Sequence, residues 1–85
     1  MTRVSFVLST YALASGKVMA ALTAVFGNRI RKYANCNRPL TIDCSADRFV
    51  RWLIIRNELG AHNSFKDLQL RIIEPEPTPQ RLSFD

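Results

Sequence analysis

The first 42 residues contain no aspartate and no glutamate. The chain is equally short of glycine, with three, at positions 16, 27 and 60, and of histidine, with one, His62. Each scarcity excludes something. Three scattered glycines cannot build a glycine-rich phosphate loop, which needs several residues free of a Cβ within one turn. Ser15-Gly16-Lys17 has the look of such a loop's end, but no glycine stands upstream and no Ser or Thr follows the lysine. It reads instead as a helix N-cap with a basic first turn. Two cysteines, Cys36 and Cys44, are too few for a disulfide scaffold, and with a single histidine they cannot complete a four-ligand zinc site. Cys44 reads as a small core residue, Cys36 as a turn residue and His62 as a loop residue. No metal and no cofactor is expected. The longest unbroken apolar run, residues 18–22, is far below the roughly 18 residues of a membrane span. The opening, with Arg3 and apolar residues near it, imitates a signal peptide only faintly, because Ser5, Ser9, Thr10 and Tyr11 interrupt it. A cytoplasmic protein is the expectation.

What remains is an ordinary globular composition. Of the 85 residues, 47% are hydrophobic and 22% charged, enough for one small core and no second domain. The net charge of +5 is unevenly placed. Arg3, Lys17, Arg29, Arg31, Lys32 and Arg38 give residues 1–42 a charge of +6, while six basic and seven acidic residues give 43–85 a charge of −1. A basic half attracts polyanions by long-range steering and by counterion release.

Residues 2–9 alternate, with Val4, Phe6 and Leu8 on one side, as a half-buried strand does. From Ala12 or Ser15 the period becomes helical through Val18, Leu22, Val25 and Phe26, with Ser15 as an N-cap and Gly27-Asn28 as the stop. Residues 29–34 fit either a strand or a continued helix. Turn formers at 35–39 then precede a second alternating stretch, Leu40, Ile42 and Cys44. Ser45 caps a helix over 46–59, with Asp47 in its first turn, Trp52 as its large core anchor and Gly60 as its stop. Leu68, Leu70 and Ile72 suggest a last strand over 65–73. Prolines at 75, 77 and 79 end regular structure. The reading is a compact α+β domain over 1–74 with a proline-rich tail over 75–85.

With residues 29–34 as a strand, the order is βαββαβ, the ferredoxin-like topology: an antiparallel sheet with two helices on one face. With 29–34 helical, it is a three-stranded βαβαβ layer. In the first case the uncovered face carries Arg3, Ser5, Val7, Ser9, Thr41, Asp43, Gln69, Arg71 and Ile73. An RNA-recognition motif shares that topology but stacks bases on aromatics of its central strands; residues 38–45 supply none, and Tyr33 is the only good stacking candidate.

Nucleic-acid binding would therefore act through phosphate contacts from Arg3, Lys17, Arg29, Arg31, Lys32, Tyr33 and Arg38, the last five gathered around a hairpin centred on 35–38. The second helix adds Arg48, Arg51 and Arg56, partly neutralised by Asp47 and Glu58. No nucleophile stands beside an evident base, and no paired carboxylates occur, so no enzyme is expected. The ending Gln80-Arg81-Leu82-Ser83-Phe84 resembles the short peptides by which bacterial proteins dock on the DNA sliding clamp. Those begin with glutamine and close on an adjacent leucine and phenylalanine; here one residue separates Leu82 from Phe84. The resemblance covers five residues and implies partner contacts by Gln80, Leu82 and Phe84. The other reading of the same residues is that Leu82 and Phe84 fold back on the domain or pair with a neighbouring chain.

Two functional classes follow. In the first, the basic half contacts nucleic acid or a nucleic-acid-handling complex. In the alternative, the chain is a protein-interaction module, such as a phage- or plasmid-type inhibitor or adaptor, using sheet face, second helix or tail. The apolar excess of the second helix is compatible with a homodimer.

Overall fold

In the computed structural model, which describes residues 2–60 and 80–84, the chain builds a three-stranded sheet covered on one face by helices. The elements run β1 (Arg3–Leu8), α1 (Thr10–Ala14), α2 (Gly16–Phe26), the 3-10 helix η1 (Asn28–Tyr33), β2 (Leu40–Ser45), α3 (Ala46–Gly60) and β3 (Gln80–Ser83). The expected loop at 61–64 with His62, the strand at 65–73 and the proline stretch at 74–79 lie outside the described residues.

Sheet order is β1-β2-β3. β1 and β2 are antiparallel, Val4 opposite Cys44 and Phe6 opposite Ile42; β2 and β3 are parallel, Ile42 opposite Leu82. The sheet is thus mixed, which corrects the antiparallel sheet expected from sequence, and the ferredoxin-like order is not what the described residues form. Two local causes produce this. Residues 29–34 turn as a 3-10 helix instead of adding a strand, and residues 80–83, expected to be an appended tail, supply the third strand. Among the described residues the order is that of the βαβαβ layer. No hairpin stands at 35–38: β2 follows a turn in which Asn35 takes φ 62°, a left-handed conformation asparagine tolerates.

Serines start the helices. Ser9 Oγ accepts from Ala12 N (3.1 Å), Ser15 Oγ from Val18 N (3.3 Å) and Ser45 Oγ from Arg48 N (3.2 Å), each satisfying an amide the first turn leaves without a partner. Ser9 is consequently buried as a cap and does not join the open sheet face. Gly27, at φ 84°, ends α2 and donates its N–H to Thr23 O (2.8 Å).

Alternate residues of each strand meet the helices. Leu8, Leu40, Ile42, Cys44 and Leu82 are buried there, under Val18, Leu22, Val25 and Phe26 of α2 and Trp52 of α3. An aromatic cluster binds the layers, with ring centroids of Phe6 and Phe49 5.1 Å apart and those of Phe26 and Phe84 5.0 Å apart. Trp52 is fully buried, as its core-anchor reading anticipated. No helix among the described residues is long and apolar enough to cross a membrane.

Candidate nucleic-acid interface

The basic turn follows from the period of η1. A 3-10 helix repeats every three residues, so Ile30 and Tyr33 share one side, Arg29 and Lys32 a second, Asn28 and Arg31 a third. Ile30 is buried and Tyr33 half-buried, which fixes the turn to the core and leaves Arg29, Arg31 and Lys32 exposed. A strand would have grouped Arg29, Arg31 and Tyr33 instead. Lys32 Nζ lies 6.0 Å from the Tyr33 ring centroid, covering part of the face on which a base would stack.

The remaining sequence-predicted cations are dispersed. Arg3 is exposed at the start of β1, opposite Ser45. Lys17 is exposed in the first turn of α2. Arg38 is exposed ahead of β2, and its carbonyl accepts from Gln80 Nε2 (3.4 Å) at the start of β3. Arg29 sits at the other end of that strand, donating to Ser83 O (3.3 Å), so Arg29 and Arg38 are separated by the length of β3, about 10 Å. The basic residues form a turn with outliers, not the single cluster around a hairpin that sequence suggested.

Phe84 organises a second group that sequence reasoning did not select. Its N–H donates to Asp43 O (2.7 Å), continuing the ladder, and its ring is buried against Phe26. The Arg29 guanidinium lies 5.0 Å and that of Arg48 5.8 Å from the Phe84 ring centroid. Arg48 Nε is buried without a hydrogen-bond partner. Burial pushes the Cys44 thiol up, with the positive charges of Arg3 and Arg48 pulling against it, which places both arginines near that end of β2. The signal available in sequence was Arg48 three residues beyond the Ser45 cap, at the mouth of the strand-to-helix junction.

Gln80 and Leu82, named for partner docking, are held in the fold. Gln80 Nε2 also donates to Cys36 Sγ; Leu82 and Phe84 are 7% and 5% exposed. In this structure both apolar side chains point into the core, leaving no exposed Leu/Phe pair.

On the open face Asp43 accepts from Ser5 Oγ, from Arg81 Nη1 through both carboxylate oxygens (2.7 Å each) and from Ser83 Oγ (3.4 Å). The Ser5 hydrogen bond and then Arg81 hold its carboxyl below the ordinary aspartate value. Arg3, Ser5, Val7, Thr41, Asp43, Arg81 and Ser83 share this face, with no aromatic side chain on it among the described residues. On α3, Val50 and Ile54 stand one turn apart, 51% and 56% exposed. A hollow of about 330 Å³ lies between α1 and the turn, lined by Thr10, Tyr11, Ala14, Asn35, Cys36 and Asn37. Among the described residues no three His, Cys, Asp or Glu side chains come together.

No family model, curated protein or solved structure matches the chain.

Proposed function

We propose that the protein is a small non-catalytic binding protein whose basic half contacts the phosphate backbone of nucleic acid, alone or within a nucleic-acid-handling complex. The supporting observation is the exposed Arg29, Arg31 and Lys32 of η1, in a stretch of 42 residues without a carboxylate side chain. The cations are exposed, the described residues of the open sheet face include no aromatic and Tyr33 is half-buried, so affinity rests on phosphates and carries little sequence preference.

The test is fluorescence anisotropy of labelled single- and double-stranded DNA and RNA at roughly 50 and 200 mM salt, the range in which phosphate-driven binding changes most. For about four phosphate contacts, affinity falls roughly 100-fold across that range, and Arg31→Ala/Lys32→Ala reduces the logarithmic salt slope by about 2. This pair is the cleaner choice because Arg29 also holds Ser83 and Phe84. Absence of binding at the lower salt refutes the reading. Salt-insensitive association with a protein would favour the second reading, an interaction module docking through the exposed Val50 and Ile54 of α3.

A further inference from the structure

β2 and β3 are parallel, so their C-terminal ends lie together, and β1, antiparallel to β2, begins at the same end. α3 starts there, its first amide bonded to Thr2 O (3.1 Å). The crevice outside the C-terminal ends of parallel strands is where open α/β sheets bind ligands, and a helix N-terminus there favours an anion.

At this end we propose that Arg29 and Arg48, braced on Phe84, form a phosphate-binding pair. The inference rests on the nucleic-acid reading only for the ligand's source, since it concerns side chains other than Arg31 and Lys32. Both guanidinium carbons lie within 6 Å of one ring centroid, at 5.0 and 5.8 Å, which sets two like charges about one ring. Neither meets a carboxylate among the described residues: Asp43 is engaged by Arg81, and Asp47, beside Arg48 on α3, forms no ion pair with it. Arg3, whose charge acts on Cys44 alongside that of Arg48, adds to the positive field. A bound oxyanion offsets this positive charge.

Arg48 supplies the second argument. Its buried Nε–H has no partner among the described residues, and such a donor gains most from an acceptor oxygen. The ring restricts both planar forks before any ligand arrives, so less freedom is lost on binding, and the fork matches the oxygens of a phosphate better than an ammonium does.

The test follows the arginine Nε–H resonances of the full-length, nitrogen-15-labelled protein during titration with inorganic phosphate, with chloride at equal ionic strength as control. Saturable shifts at Arg29 and Arg48, absent with chloride, are expected. Arg48→Gln and Arg48→Lys each weaken phosphate at least tenfold, the lysine variant separating loss of the fork from loss of charge. Arg31→Ala/Lys32→Ala retains the phosphate shifts even where polyanion binding is lost, so the two proposals fail separately. An oligonucleotide with and without a 5′-phosphate identifies the source: a response to both marks backbone phosphodiesters, a response to the phosphorylated form alone marks a terminal phosphomonoester. Shifts that never saturate, that are equal at every arginine, or that survive both Arg48 variants overturn the proposal.

Discussion

Asp43 is the residue through which the open face of the sheet is tied together. Its carboxylate receives Ser5 from β1 and Arg81 and Ser83 from β3, so one side chain on the central strand clamps both neighbours. Arg81 is largely exposed, at 57%, so that arm contributes little, on the order of 0.2–1 kcal/mol after solvent screening. The folded carboxyl titrates below its ordinary value, the Ser5 hydrogen bond being the largest cause and Arg81 the next. Stability from the ionised form is therefore fully present above about pH 4, the unfolded value, and is lost as pH falls through the depressed folded value. Asp43→Asn should lower stability by about 1 kcal/mol at pH 7, roughly 4–8 °C in melting temperature, and the difference from the parent should shrink below pH 4. Thermal melts followed by circular dichroism at pH 7 and pH 3 check this; a pH-independent difference would show that the network's charge plays no part.

At the scale of the element, the junction between α2 and η1 determines where the basic turn points. Gly27 has φ 84°, and beyond its chain neighbours nothing lies within 4 Å of where a Cβ would stand, so an added methyl meets backbone strain and no collision with the packing. Gly27→Ala should cost roughly 1–2 kcal/mol through the backbone alone. Urea denaturation measures it, and an unchanged midpoint would mean that the junction relaxes freely. Elements with a local signature were legible in the sequence. Val4, Phe6 and Leu8 alternate, Ser15 and Gly27 bracket α2, and Ser45 opens α3 as its side chain allows. α1 was partly hidden, because five residues give hardly more than one turn of period to read. η1 stayed ambiguous because Arg-Ile-Arg-Lys-Tyr satisfies a period of two or three equally until Ile30 and Tyr33 find the core. β3 was hidden by the prolines at 75, 77 and 79 that precede it. The alternation of Leu82 and Phe84 was visible, but its parallel partner lies far away in the chain, and no local pattern encodes such a pairing. The residue types of the basic turn could be read from sequence and their grouping could not, whereas Arg48 beside Phe84 depends on that distant pairing.

For the whole molecule, the last strand completes the core. β3 is only four residues long, yet Leu82 and the following Phe84 fill the space beneath α2 and α3, and burying two such side chains is worth about 2–5 kcal/mol each. A chain ending at residue 79 should lose its cooperative thermal transition, since a small domain's total stability is of the same order. Calorimetry decides: a sharp transition within a few degrees of the parent's would show that the core closes without β3. The same truncation would also dismantle the Arg29–Arg48 pair, which has no brace without Phe84. For that reason it is no substitute for the point variants at Arg48.

The pairing of Leu40 with both Leu8 and Gln80 has a consequence for biosynthesis. During translation β2 can find β1 soon after it emerges, but its pairing with β3 must wait until residues 80–83 are made. Until then a nascent chain leaves the β3-facing backbone of Leu40–Asp43 without that partner and open to an extended peptide.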